Sequence, residues 1–345
     1  MPRLPRPLLP PTRRRQQRVR GVGEFDLIAR YFKRPTRQAA LGIGDDCALL
    51  QPTPGMQLAI SSDMLVEGRH FLSTVEPARL GHKALAVNLS DLAACGARPL
   101  AFTLALALPS ADETFLAGFS QGLLALADAH ECELVGGDTT RGPLNICITV
   151  FGEVPAGQAL LRSGARAGDD LYVSGHLGDA RLALEVFRGN MAVPAEVFAS
   201  ARNRMEQPTP RVALGLALRG VASAAIDISD GLLGDLGHVI RASGVGARID
   251  TEVAMQLTAT YLDHPETRSL LKPEKWLELA LSGGDDYELA FTAPQSARTA
   301  VQAAAAASAT RVTRIGQIEA AAGMRLADAQ GIVSTPDWAS FDHFA

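Results

Sequence analysis

The chain mixes apolar runs of strand length with apolar residues at helical spacing, and the two periods predict its elements. Phe25, Leu27, Ile28 and Tyr31/Phe32 predict a short amphipathic helix in GEFDLIARYF. Gln57–Ser62 predicts a strand ending on Ser61-Ser62-Asp63. Glu76–Gly96 predicts a helix, with Pro77 near its first turn and Gly96 past its end. Strand Leu100–Leu108 and helix Glu113–His130 follow, then Cys132–Val135 leading into Gly136-Gly137-Asp138, then strand Asn145–Glu153. The order is β-α-β-α-β-β, an α/β or α+β module with helices packed on a sheet.

A boundary is expected near Pro155–Ala159, which divides the chain into 23–155 and 156–345. In the second half the pattern predicts strands Asp170–Ser174, Ala224–Ile228, Glu288–Thr292, Val312–Ile318 and Gly323–Ala327. Helices are predicted at Ala180–Arg188, Gly231–Ser243 and Ala297–Ala309, and at Thr209–Arg219, with Thr209-Pro210 as cap and first-turn proline. The halves read as two unlike α/β layers, and two domains suit 345 residues.

Against this background, aspartates recur after short apolar segments, mostly beside glycine: GIGDD at 42–46, LVGGDTTR at 134–141, IDISDG at 226–231 and SGGDDYE at 282–288. Asp91 adds a carboxylate on a mainly apolar helix face with Ala84, Val87/Asn88 and Ala94/Cys95. A lone carboxylate there is costly unless capped, paired or bound to metal. Clustered aspartates resist ionising unless a cation neutralises them, and hard oxygen ligands suit Mg²⁺ or Mn²⁺ bridging carboxylates to phosphates. No Walker-type loop, dinucleotide fingerprint or protein-kinase signature is present, so any ATP chemistry must use metal ions in place of a phosphate-cradling lysine. Asp45, Asp169, Asp170, Asp235 and Asp286 are read as turn or loop residues.

Composition narrows the classes. With 47% hydrophobic and 20% charged residues and a net charge of −4, the chain has a globular balance and offers nothing to attract nucleic acid or an anionic membrane. No apolar run reaches the roughly 18 residues of a membrane span. Cys47, Cys95, Cys132 and Cys147 form no C-x-x-C pair, so neither a zinc site nor a disulfide framework is indicated, and a reducing cytoplasm fits best. The only lysines are Lys33, Lys83, Lys272 and Lys275. The Pro-rich, basic segment 1–22 is expected to be a disordered tail and lacks the features of a signal peptide.

GEFDLIARYF, GIGDDCALL, ALAVNLSDLAACGARP, LVGGDTTRGP, LRSGARAGD, AIDISDGLLGDLGH and LSGGDDYEL resemble, in order, the blocks of the thiamine-monophosphate kinase family. That family belongs to the superfamily of aminoimidazole ribonucleotide synthetase and selenophosphate synthetase. The resemblance runs from Gly23 to the C-terminus and implies a two-domain fold and ATP-dependent phosphorylation of thiamine monophosphate to thiamine diphosphate. It also implies several Mg²⁺ ions and a homodimer through the first domain. By matched position Asp46, Ser61, Ser62, Asp63, Asp91, Asp138, Asp227 and Asp230 resemble metal ligands. Gly137, Asp138, Arg162 and Ser229 resemble ATP contacts, and His70, Asp285 and Phe341 resemble contacts to thiamine phosphate. Two departures stand out: Ser62 where the family often has threonine, and Asp285 where a glutamate is common. The chain lacks the reactive N-terminal-loop cysteine of a selenophosphate synthetase and the C-terminal cysteine of the hydrogenase maturation factor, the two rival readings.

Overall fold

The computed structural model describes residues 23–335 and Trp338. The tail 1–22 and Phe341 therefore lie outside the described residues.

The first half begins with α1 (Glu24–Leu27), continued by a wider π-turn over Ile28–Phe32. The predicted six elements follow in the predicted order: β1 (Met56–Val66), α2 (Pro77–Ala94), β2 (Arg98–Leu108), α3 (Glu113–Ala129), β3 (Glu133–Arg141) and β4 (Asn145–Pro155). They form a four-stranded sheet of order β1-β4-β2-β3, with β2 and β3 parallel and the other pairs antiparallel. Its inner face, with Leu65, Ile146, Ile148, Leu104 and Leu106, packs into the core shared with α2 and α3.

The second half carries β5 (Asp170–Ser174), α4 (Asp179–Phe187), α5 (Ala195–Glu206), α6 (Val212–Ala217), β6 (Ala224–Ile228), α7 (Leu232–Ser243) and β7 (Gly246–Asp250). It continues with α8 (Thr251–Met255), α9 (Ala259–Asp263), α10 (Pro273–Ser282), β8 (Glu288–Ala293), α11 (Arg298–Ala307), β9 (Val312–Glu319), β10 (Gly323–Ala327) and β11 (Val333–Ser334). Its seven-stranded sheet runs β11-β10-β7-β9-β5-β8-β6 and is antiparallel except for β10 beside β7.

Helix α2 lies between the two sheets. It packs on α3, β1 and β4 on one side and on α6, β6 and β8 on the other. From Leu80 to Ala93 nearly every residue is buried, polar Lys83, Asn88 and Ser90 included. A helix covered all round can place polar groups only where they meet partners, which makes those three informative.

Three expectations change. The helix predicted from Thr209-Pro210 starts later, with Arg211 at its cap position. The residues before it are held instead by a buried ion pair between Arg211 and Glu288, to which Ser174 Oγ also donates. Helix α5, which packs on α4, and strand β7, which pairs with β9 and β10, are not among the predicted elements. The glycines of LVGGDTTR lie inside β3, not in a turn at its end. There the β2–β3 register slips between Phe102 and Thr103, leaving Val135 as an extra residue. Gly137 has φ +146° and passes so close to β2 that a Cβ would stand 1.9 Å from the Leu104 carbonyl oxygen. A bulge of this kind re-aims the side chains beyond it.

A candidate phosphoryl-transfer site between the two sheets

Strand alternation divides the predicted ligands of β1. Ser61 and Asp63 face inward towards α2, where Ser61 Oγ donates to Asp91 Oδ2 and the Asp63 N–H donates to Asn88 Oδ1 at 3.1 Å. Ser62 points to the opposite, open face and meets Ile148 O at 3.1 Å and Thr149 Oγ1 at 3.0 Å.

From the second sheet, β6 brings Asp227 to the same helix. It is 7% exposed, and Ser90 Oγ donates to its Oδ2 at 2.8 Å. The turn after β6 is held by Asp235, which accepts the N–H groups of Ser229 at 3.0 Å and Asp230 at 3.1 Å. Gly231, at φ +112°, lets this turn press on the end of α10, since a Cβ there would be 2.8 Å from Ser282 O. The following loop is stitched to β6 by Asp285 N–H to Ser229 O at 2.7 Å and Tyr287 N–H to Ile228 O at 2.8 Å.

Thus Ser61, Asp63, Asp91, Asp227 and Asp230 come together around α2, and their electrostatics register it. Burial, then the charges of Asp91 and Asp230, pushes the Asp63 carboxyl up to about 6. Burial, then Asp91, pushes Asp227 up to about 8. Asp91 is raised by burial and pulled back by its Ser61 hydrogen bond and the Arg162 guanidinium. Carboxylates this close favour protonation or a cation. Asp235 also rises to about 7, chiefly by burial, while its oxygens are used by backbone N–H groups, so it shapes the turn.

A cavity of about 420 Å³ adjoins Asp91 and Asp227 and is lined also by Cys95, Leu161, Arg162 and Ala242. It joins an apolar wall, two carboxylates and an exposed guanidinium able to bind phosphate bidentately. A second cavity of about 640 Å³ holds Asp46, Gly137 and Asp138 together with Asp45, Lys33 and Ile43. Asp46 and Asp138 are exposed there and do not join the five inner residues. Asp138 stands beside Ala105 in the register, on the side of the sheet that Ser62 faces.

His70 and Asp285 meet through a residue the sequence pattern passed over. Lys83 Nζ donates to Asp285 Oδ2 at 2.5 Å and to His70 O at 3.1 Å, and the Val66 N–H donates to His70 Nδ1 at 3.0 Å. The usable signal was a lysine, one of four in an arginine-biased chain, inside a mainly apolar helix. Asp285 and Tyr287 both have left-handed backbones, φ +73° and +52°, a costly conformation that concentrates at functional loops. The apolar segment before this loop is the helix α10, not a strand.

Asp170 pairs with Arg298 and Arg314, Asp169 accepts the Arg166 N–H and the Ser223 hydroxyl, and Asp286 accepts the Gly178 N–H. Asp45 Oδ1 accepts the Asp46 N–H. Among the described residues no three His, Cys, Asp or Glu side chains converge closely enough to hold a metal ion by themselves. Any cation would therefore complete its shell with hydroxyl, water or phosphate oxygens.

Two sheets clasping one buried helix, with carboxylates gathered around it, define a protein related to AIR synthase. Residues 44–154 match its N-terminal domain model and 166–328 its C-terminal domain model. Within that class the chain belongs to the thiamine-monophosphate kinase family and is a kinase. It is 48% identical over 331 residues to a thiamine-monophosphate kinase from Salmonella typhimurium, covering 94% of this chain and 99% of that one. It is also similar to the crystal structure of a thiamine-monophosphate kinase from Stenotrophomonas maltophilia, with TM-score 0.77, 46% identity, and 84% and 91% of the two chains covered. The structure of AaThiL complexed with AMPPCP and TMP matches with TM-score 0.73 and 30% identity, over 85% of this chain and 89% of that chain.

Proposed function

We propose that this chain transfers the γ-phosphate of ATP to the phosphate of thiamine monophosphate, giving thiamine diphosphate and ADP. The observation that carries this is the placement of the carboxylate group: the Arg162 cavity adjoins it on one side, and the Lys83–Asp285 pair lies on the other. The acceptor is already an anion near neutral pH, so no general base is needed. The site has to align two phosphates and offset their mutual repulsion.

Mg²⁺ fits the donors: carboxylates and hydroxyls, mutually repelling and partly desolvated, with no soft ligand among them. Asp63, Asp91, Asp227, Asp230 and Ser61 would hold ions of the inner group, and Asp46, Ser62 and Asp138 would hold ions on the open side. Bound there, the ions would neutralise phosphate charge. The chain's own residues do the rest. Arg162 orients nucleotide phosphates, and the Ser229 turn, fixed by Asp235, borders the nucleotide. Gly137 lets backbone approach closely, and the Asp285 carboxylate suits a cationic thiazolium. Attack in line with the leaving ADP is the geometry such positioning favours.

We also propose a homodimer through the open face of the first sheet. Leu58, Ile60 and Met64 are 43%, 61% and 53% exposed there, an apolar patch beside Ser62. Asp46 and Asp138 lie on a separate cavity from the inner group, which supports a site completed on assembly. Among the described residues no helix is long and apolar enough to cross a membrane, and the four free cysteines suit a reducing cytoplasm.

The test is product formation. Purified chain with Mg-ATP and thiamine monophosphate is expected to form thiamine diphosphate and ADP in equal amounts by chromatography. ADP release without thiamine diphosphate would sink the assignment.

A further inference from the structure

Lys83 is buried in the middle of the molecule, on the helix that both sheets share. Its side chain is 3% exposed, whereas that of Asp285 is 32% exposed, so the pair opens to solvent only on the carboxylate side. Among the described residues the ammonium meets two acceptors, Asp285 Oδ2 and His70 O, and it has three hydrogens to give. Burial, then the charges of Asp285, Asp63 and Asp227, pushes the Tyr287 phenol up, so that this ring feels the pair's carboxylate and the acidic group together. The pair therefore neighbours the acidic group by way of Tyr287. Along α2, Lys83 and Asp91 are separated by eight residues, about 12 Å of helix axis.

A buried cation and anion that satisfy each other are stable as a pair and costly when either is stripped. A ligand can open such a pair without net cost in charge only if it supplies one charge of each sign. Thiamine monophosphate does so, with a cationic ring and an anionic phosphate. We propose that Lys83 is the acceptor site's phosphate-reading residue: on binding, its ammonium passes from Asp285 to the substrate phosphate while Asp285 passes to the thiazolium. The exchange rests on the assignment of thiamine monophosphate as acceptor. It adds a specificity device, because thiamine itself would take Asp285 and leave Lys83 buried without an anion, and a phosphate lacking the ring would strand Asp285. Sites that leave a buried charge unpaired reject the wrong ligand strongly. The left-handed backbones of Asp285 and Tyr287 are the kind of costly conformation kept at functional loops, and they set the loop that carries this carboxylate.

The experiment compares Asp285→Asn with Asp285→Asn/Lys83→Met, so that neither variant carries an unpaired buried carboxylate. Binding of thiamine monophosphate and of thiamine is measured by calorimetry with Mg²⁺ and a non-hydrolysable ATP analogue present. Asp285→Asn is expected to retain a preference for the phosphorylated form. Adding Lys83→Met is expected to cut thiamine monophosphate affinity by about tenfold or more with thiamine affinity little changed, the scale of losing a charge-assisted contact in a desolvated site. Lys83→Arg, which keeps the charge, should keep most of the preference. An unchanged preference in the double variant would overturn the proposal, as would an equal loss for both ligands. Wild-type protein forming no thiamine diphosphate would instead sink the assignment of function, so the two failures are distinguishable.

Discussion

Replacing Asp227 with asparagine separates what a buried carboxylate costs the fold from what it does in the site. Burial, and behind it the charge on Asp91, holds the Asp227 carboxyl up at about 8. In the unfolded chain an aspartate titrates near about 3.9. Between those values the native state keeps a proton that the unfolded state has released, so this group makes stability fall as pH rises through the window. The cost saturates at about 5 kcal/mol at and above pH 8 and is roughly half that near pH 6. Asparagine has no such titration, and its amide oxygen can still accept the Ser90 hydroxyl that reaches Asp227 Oδ2 at 2.8 Å. Without divalent cation, the melting temperature of Asp227→Asn relative to wild type is therefore expected to climb steadily from pH 5 to pH 8.5. The scale is about 2–4 °C per kcal/mol for domains of this size. Added Mg²⁺ should raise the wild-type value and narrow the gap. Turnover of the variant should fall by about 10²-fold or more, the scale of losing one preorganised electrostatic group. The assay is thermal unfolding across pH, with and without Mg²⁺, beside product formation. A difference that stays flat with pH, or that reverses sign, would refute the reasoning.

Other outcomes follow from separate parts of the molecule. Gly137→Ala forces a Cβ against the Leu104 carbonyl at a left-handed φ, so it is expected to cost more than the about 1–3 kcal/mol of backbone strain alone, read by denaturant unfolding; a neutral result would mean that the bulge is absent. Asp138→Asn, on an exposed residue, should reduce turnover while shifting the melting temperature little, and full activity would remove it from the site. Ile60→Lys puts a charge on the open sheet face and should convert a dimer to a monomer in sedimentation; an unchanged dimer would place the interface elsewhere. Arg211→Met strips the partner from buried Glu288 and should destabilise by about 3–5 kcal/mol, whereas Arg211→Met/Glu288→Leu should recover much of that by equilibrium unfolding.

Much of this protein was legible along the chain because its signals are local. Hydrophobic period alone determined the β-α-β-α-β-β order of the first half, and strands such as Ala224–Ile228 and Gly323–Ala327 coincide with their apolar runs. Residue chemistry determined that several carboxylates must be neutralised together, and block order pointed to the family. Strand β7 was not legible, because β9 and β10, distant in sequence, pair with it, and α5 was missed although it packs chiefly on the adjacent α4.

The tertiary structure decided which carboxylates meet. Ser61 and Ser62 are adjacent in sequence, but the period of a strand sends one to the acidic group and the other to the open face. Asp138 looked like the end of a strand, yet an extra residue at Val135 turns it to that same open face. Lys83 and Asp285 lie 202 positions apart, and only the packing of both sheets on α2 makes them an ion pair. Periodicity reports which way a residue faces along its own element. Which group stands opposite depends on the long-range packing that closes the core, and no local pattern carries that information.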